Sequence, residues 1–221
     1  MIYACIFASG RGTRMCSDLP KQFLNIDGQP IIIKCIKQFL SVPSVDKIIV
    51  AVPKDYIEYT EKLLADNSIS GVEIISGGSS RNGTLLEFLK YIPDNDGIIL
   101  THDAARPFVS AKIIENSIAS MNENIASTVA LSVVDSVILS DELGNIEQNL
   151  NRDRVFLVQT PQTFRLDSLR ECVNKTDVQE LEKMTDCTAI FRKYGLSVAI
   201  VPGEKKNIKI TNPEDLENYN A

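Results

Sequence analysis

The chain has one histidine, His102, and five cysteines, of which no two stand in a Cys-x-x-Cys spacing. These shortages remove the usual nitrogen and sulfur ligands of a structural zinc site. The single histidine closes a buried strand and reads as a packed residue rather than a base. No nucleophile–histidine–carboxylate set presents itself, which disfavours hydrolysis through a covalent intermediate. Positive charge is in deficit: the formal net charge is -6, so nucleic acid is not an expected partner. No apolar run reaches the length of a membrane span, so none is expected. The apolar opening MIYACIFA is short and meets a glycine loop at once, so it reads as a buried first strand, not a signal peptide. With an odd number of cysteines, this leads to the expectation of a reducing, cytoplasmic setting. Internal repeats and low-complexity segments are also lacking.

What is present is an ordinary globular composition, 44% hydrophobic and 24% charged over 221 residues, enough for one sizeable core. Strands and helices alternate in pattern. Strands are expected at 2–7, 46–52, 72–75, 97–103 and 126–134, and helices at 31–40, 56–64, 81–91 and 111–121. The run at 46–52 is β-branched and nearly continuous, as a strand buried on both faces should be. The alternation predicts an α/β fold with a doubly wound, mostly parallel sheet. At Ser136 the pattern breaks, and 137–150 reads as a hairpin turning near Gly144. The core pattern resumes at 155–164, followed by a long helical stretch, a strand at 196–201 and a short final helix. The expectation is one domain, 1–221, with a projecting β-arm at 136–154.

In such sheets ligands sit at the carboxyl ends of the strands. Polar residues gather there at 9–14, 77–81 and 103–106. The first cluster, ASGRGTRM at 8–15, lets the backbone approach an anion and adds Arg11 and Arg14. It lacks the third glycine of a dinucleotide fingerprint and the Gly-Lys-Ser/Thr of a P-loop. The alternative is a plain glycine turn. Lys21 stands seven residues beyond Arg14, held by Pro20, and suits a phosphate-bearing leaving group; the alternative is a solvated surface lysine. In GGSSRNGT (77–84), Arg81 and Thr84 open a helix whose N-terminus favours a nucleotide. Asp103 sits where a magnesium ligand would lie, or else pairs with Arg106. Lys209 alternates with Ile208 and Ile210, which favours a solvent-facing side chain over a site-facing one.

Taken in order, ASGRGTRM, PKQFL, GGSSR, HDAARP, TPQTF and NIKIT, with PEDL at 213–216, resemble the cytidylyltransferase family that acts on methylerythritol phosphate and ribitol 5-phosphate. The resemblance spans nearly the whole chain. It implies a Rossmann-like nucleotidyltransferase fold, magnesium (Mg2+) as cofactor, CTP and a small polyol phosphate as partners, and a homodimer joined through the arm. It also implies roles by position. Arg14 and Lys21 would hold the CTP phosphates, and Lys209 would sit near the α-phosphate. Ala8, Ser9, Gly10 and Gly12 would line the nucleotide, while Gly78, Arg81 and Thr84 shape the cytosine pocket. Asp103 would help hold magnesium. Arg106, Ser136, Arg152 and Thr185 would face the polyol phosphate, Arg152 coming from a second copy of the chain. Two departures stand out: Ser9 replaces the family's second small residue, and Ser136 replaces a threonine.

Thr101, Phe108, Cys187, the R-N-x-T of Arg81 to Thr84, and the apolar setting of VDSVIL at 134–139 resemble the ribitol branch. The expected acceptor is therefore D-ribitol 5-phosphate, with 2-C-methyl-D-erythritol 4-phosphate as the alternative. Two other readings have to be set against these: an enzyme using UTP or GTP, and a non-catalytic nucleotide-binding module.

Overall fold

The computed structural model describes residues 1–10 and 19–220, with side-chain surroundings up to Glu217. The chain runs through β1 (Ile2–Phe7), a 3-10 turn (Lys21–Phe23), a small hairpin of β2 (Asn25–Ile26) and β3 (Gln29–Pro30), α1 (Ile31–Leu40), β4 (Lys47–Val52), a second 3-10 turn (Lys54–Tyr56) and α2 (Ile57–Asp66). It continues through β5 (Val72–Ser76), α3 (Arg81–Tyr91), β6 (Ile98–Asp103), α4 (Ala111–Ala119) and β7 (Ala126–Ser132). Next come β8 (Val137–Ser140), β9 (Ile146–Leu150), β10 (Phe156–Arg165), α5 (Leu166–Asn174), α6 (Val178–Lys183), α7 (Thr188–Lys193), β11 (Ala199–Pro202) and α8 (Pro213–Asn220).

Seven strands form one sheet in the order β11-β7-β10-β6-β1-β4-β5. β1 pairs parallel with β4 and β6, β4 with β5, and β7 with β11, while β10 runs antiparallel to both of its neighbours. Strand geometry sends successive side chains to opposite faces. Ala4 and Ile6 therefore pack with α1 and α4 on one face, and Tyr3 and Cys5 with α3, α5 and α7 on the other. The inner strands are apolar throughout because neither face meets water. Helix α1 shows the driving force locally: Ile32, Cys35, Ile36 and Phe39 recur at helical spacing and are all fully buried. Each such side chain contributes roughly 1.5–3 kcal/mol on burial.

The doubly wound sheet with a projecting hairpin agrees with the pattern read from the sequence. Several details differ. The strand expected at 126–134 stops at Ser132, and that expected at 196–201 begins at Ala199. The long helical stretch after β10 is three short helices, because side chains cap the backbone anew at each break. Asp177 accepts from the Gln179 N–H, and Asp186 Oδ1 accepts from the N–H groups of Thr188 and Ala189. The β2–β3 hairpin went unread. Its Asp27-Gly28 turn has φ of 50° and 74°, the two positive angles that a tight two-residue hairpin requires.

One irregularity places the site. In β10 the pairing with β7 jumps from Val158↔Ala130 to Gln162↔Thr128, so residues 159–161 stand opposite Val129 alone. Bulges of this kind re-aim side chains. Here they bring Gln159 and Thr160, both buried, beneath the end of β6.

Candidate functional site

A cleft of about 670 Å³ opens at the carboxyl ends of β1, β4, β5 and β6. Among the described residues it holds four cations, Lys21, Lys54, Arg81 and Lys209, against two carboxylates, Asp55 and Asp103. A chain of net charge -6 thus concentrates positive charge in one concave place, as binding of small anions requires.

Asp103 is the centre of this charge. It ends β6 and is buried, with Arg81 Nη1 on Oδ1 and Lys209 Nζ 2.7 Å from Oδ2. Burial alone would raise its pKa; Arg81 and then Lys209 outweigh it and hold the carboxyl well below the usual carboxylate range. Arg81 opens α3 and lies over the Phe7 ring, 4.5 Å from its centroid. Burial by itself would lower the Arg81 pKa, but Asp103 turns the shift upward. Two expectations change here. The Asp103–Arg106 pair is absent: Arg106 donates instead to the carbonyls of Asn207 (2.8 Å) and Val158 (3.2 Å). Lys209 turns to the cleft and pairs with Asp103, with its side chain 41% exposed. Ile210 buries with Ile26 and Ile31, and the segment carries Lys209 across the end of β6.

Lys21 is placed by its own turn. Its neighbour Gln22 is buried and donates to the Ala8 carbonyl, tying the turn to the end of β1. Phe23 stacks on Tyr56 at 5.0 Å. Lys21 Nζ then donates to the Ile210 carbonyl at 2.9 Å, one residue from Lys209. Two lysines distant in sequence thereby share one end of the cleft.

The glycine turn after β5 forms the other wall. A Cβ on Gly77 would meet Ser9 Cβ at 2.3 Å, and one on Gly78 would meet the Gly83 carbonyl carbon at 2.5 Å, so both positions need glycine. Ser9 has a defined partner: its hydroxyl lies 2.9 Å from Thr84 Oγ1. Thr84 is fully buried and also accepts from the Gly78 N–H at 3.1 Å. Thr84 therefore shapes the wall from behind, while Ser9 and Gly78 line it.

Ala8, Ser9, Gly10 and Lys21 come together in this cleft with Gly78, Arg81, Asp103 and Lys209. Arg14 and Gly12 lie outside the described residues. Arg106 sits beside the cleft without lining it, and Thr185 is exposed between α6 and α7. Ser136 and Arg152 lie at the root of the arm, where Arg152 Nη1 donates to the Val134 carbonyl at 3.2 Å. Sequence reasoning passed over Lys54 and Asp55, which follow β4 and line the cleft. Their signal was available, since they stand at the carboxyl end of a parallel strand. It also passed over Thr160 and Asn207, whose role depends on the bulge.

His102 is fully buried, with Nδ1 2.9 Å from Thr160 Oγ1 and Nε2 3.1 Å from the Arg106 carbonyl. Burial drives its pKa down to about 4. It is a packed residue, as its strand position suggested. Among the described residues, no group of three His, Cys, Asp or Glu side chains is arranged to hold a metal ion. No helix among them is long and apolar enough to cross a membrane.

Over residues 2–221 the chain matches the family IspD: 2-C-methyl-D-erythritol 4-phosphate cytidylyltransferase. Among solved structures it is similar to the 4-diphosphocytidyl-2C-methyl-D-erythritol synthase of Anaerococcus prevotii DSM 20548, with 27% identity and a TM-score of 0.84 over 99% of this chain and 96% of that one. It is similar also to the 2-C-methyl-D-erythritol 4-phosphate cytidylyltransferase of Francisella tularensis, with 30% identity and a TM-score of 0.81 over 98% and 97% of the two chains. The bifunctional IspDF of Campylobacter jejuni matches at 25% identity and a TM-score of 0.79, over 98% of this chain and 53% of that longer one.

Proposed function

The chain belongs to the 2-C-methyl-D-erythritol 4-phosphate cytidylyltransferase family, and from that premise we propose that it transfers CMP from CTP to a small polyol phosphate, releasing pyrophosphate. The observation that carries the reading is the clustering of Lys21, Arg81 and Lys209 around Asp103 at the ends of the parallel strands. An oxygen of the acceptor phosphate attacks the α-phosphorus of CTP in line, and the bond to the pyrophosphate oxygen breaks. No covalent enzyme intermediate is needed, so the protein's task is to position the reactants and neutralise charge.

In this reading Lys21 and Arg14 hold the triphosphate, and Lys209 meets the charge developing at the α-phosphate. Ala8, Ser9, Gly10, Gly12 and Gly78 form the nucleotide wall, with Arg81 beside the base and Thr84 behind it. Magnesium fits the donor set at Asp103. Its carboxylate keeps lone pairs free beside Arg81 and Lys209, and magnesium takes one or two carboxylates together with substrate phosphates. When bound, the ion would spread the charge of the phosphate oxygens. Arg106, Ser136 and Thr185 serve the acceptor. Arg152 is supplied by a second copy across a homodimer that the arm builds. The chain acts as one domain in the cytoplasm.

Resemblance of sequence segments favours D-ribitol 5-phosphate as the acceptor. Yet three of the residues behind that preference do not line the cleft. Thr101 is buried and donates to the Gln162 carbonyl, Cys187 is buried beside Asn82, and Phe108 packs against the cluster of Ile26, Ile31 and Ile210. A second reading, 2-C-methyl-D-erythritol 4-phosphate, is favoured by the family description and by the titles of the structural relatives. The test is pyrophosphate release with CTP, magnesium and each acceptor in turn. A strong preference for ribitol phosphate supports the first reading, the reverse preference supports the second, and release with neither acceptor sinks both.

A further inference from the structure

Beneath the cleft four residues close a hydrogen-bonded ring. Thr160 Oγ1 meets His102 Nδ1 at 2.9 Å, and His102 Nε2 meets the Arg106 carbonyl at 3.1 Å. Arg106 Nη1 donates to the Asn207 carbonyl at 2.8 Å, and Asn207 Nδ2 donates to the Thr160 carbonyl at 2.9 Å. His102 and Asn207 are fully buried and Thr160 nearly so, so a broken link would leave a polar group without water.

The ring has one consistent assignment of protons. A carbonyl oxygen only accepts, so His102 Nε2 must carry a hydrogen to bond Arg106. Thr160 Oγ1 accepts from the Asp103 N–H, and its own hydroxyl hydrogen has Nδ1 within reach as acceptor, so Nδ1 is bare. Thr160 must then donate its single hydroxyl hydrogen to Nδ1. Its lone pairs remain for the Asp103 N–H, which approaches Thr160 Oγ1 at 3.1 Å. Phe39 packs on the imidazole at 5.0 Å and limits its rotation.

We propose that His102 is a positioning residue: held as the Nε2–H tautomer, it directs the Thr160 hydroxyl and so sets the backbone of Asp103 and the Asn207 to Lys209 segment. Three charged groups depend on the ring. Asp103 hangs from Thr160, Arg106 is a member, and Lys209 lies two residues beyond Asn207. These partners come from β6, from the β10 bulge and from the segment before α8. The ring therefore couples three parts of the chain that meet only after folding. The proposal rests on the reading of Asp103 and Lys209 as site residues.

The chain has one histidine, so its ring nitrogens give a single pair of 15N resonances. Labelled protein near neutral pH should show Nε2 protonated and Nδ1 bare. A protonated Nδ1, in either the other tautomer or the cation, overturns the proposal. In kinetics, Thr160→Val should lower kcat about tenfold or more, with little change in the KM for CTP, and Thr160→Ser should restore it to within about threefold. A folded Thr160→Val enzyme with normal kcat also overturns the proposal. If Thr160→Val does not fold, the 15N tautomer decides it alone. Near-normal turnover in Lys209→Ala would remove the site reading, and the positioning role with it, while leaving the tautomer signal unchanged.

Discussion

The cleft and the arm are built in opposite ways. In the cleft several groups are held by partners far away in the chain. Lys21 bonds Ile210 across 189 positions, and Ser9 meets Thr84 across 75. In the arm, β8 and β9 pair only with each other. Asp141 holds the turn by accepting from Leu143 and Asn145, two and four residues on. The cleft pairs a buried carboxylate with cations, whereas the arm exposes apolar side chains: Ile138, Leu143 and Ile146 are 49, 87 and 63% exposed. A two-stranded hairpin has little stability alone, and grouped exposed apolar side chains mark a surface that meets something else. The cations and the carboxylate of the cleft are thus tied together within one chain, whereas the apolar side chains of the arm find no cover in it among the described residues.

The largest test of that contrast is charge removal in the cleft. Lys21→Ala and Lys209→Ala should each cost about 10³-fold in kcat with the melting temperature little changed. Steady-state pyrophosphate release and thermal unfolding, measured together, check this; near-normal turnover in a folded variant removes that lysine from the mechanism. Next comes the arm. Ile138→Asp with Ile146→Asp should weaken self-association about 100-fold, seen by sedimentation at micromolar concentration. An unchanged dimer would move the interface elsewhere, and a wild-type monomer would end the dimer reading.

A smaller effect belongs to the core beneath the cleft. His102 has its pKa lowered by burial from 6.5 to about 4. The unfolded chain therefore binds the extra proton first, and stability falls as pH drops from about 6.5 to about 4, then stops falling on this account. The loss is about 3 kcal/mol. Urea midpoints across that range should show it, and His102→Gln should flatten the slope if it folds. Asp103, with its pKa depressed, holds its contribution through this window and loses it only at lower pH. The smallest effect is at the arm tip: Leu143→Ser should change stability by less than about 0.5 kcal/mol, because Leu143 is already in solvent.

Much of the fold was legible in the residues. The continuous apolar strands could only be covered on both faces, and the helices expected from 81 and from 111 begin at Arg81 and Ala111. The glycines at 77 and 78 and the charged residues at strand ends marked the cleft before any coordinate did. The antiparallel direction of β10 was not legible, because a buried strand has the same composition whichever way it runs. The facing of Lys209 was misread for a related reason. Alternation says that two residues share a face, but not what the other face meets. Thr84 could be assigned to the wall, yet its place behind Ser9 depends on a close approach between two turns.

By itself, then, the sequence determined the layer architecture, the strand ends that carry the chemistry and the family to which the chain belongs. Those are set by local periodicity, turn residues and the spacing of motifs. Only the tertiary structure decided which cations meet Asp103, that Arg106 turns to Asn207, and that His102, Thr160 and Asn207 close one ring. Such pairings join residues from 22 to 106 positions apart, from Arg81 with Asp103 to Lys209 with Asp103. Pairing over such distances follows from sheet order and the β10 bulge, which no local pattern encodes.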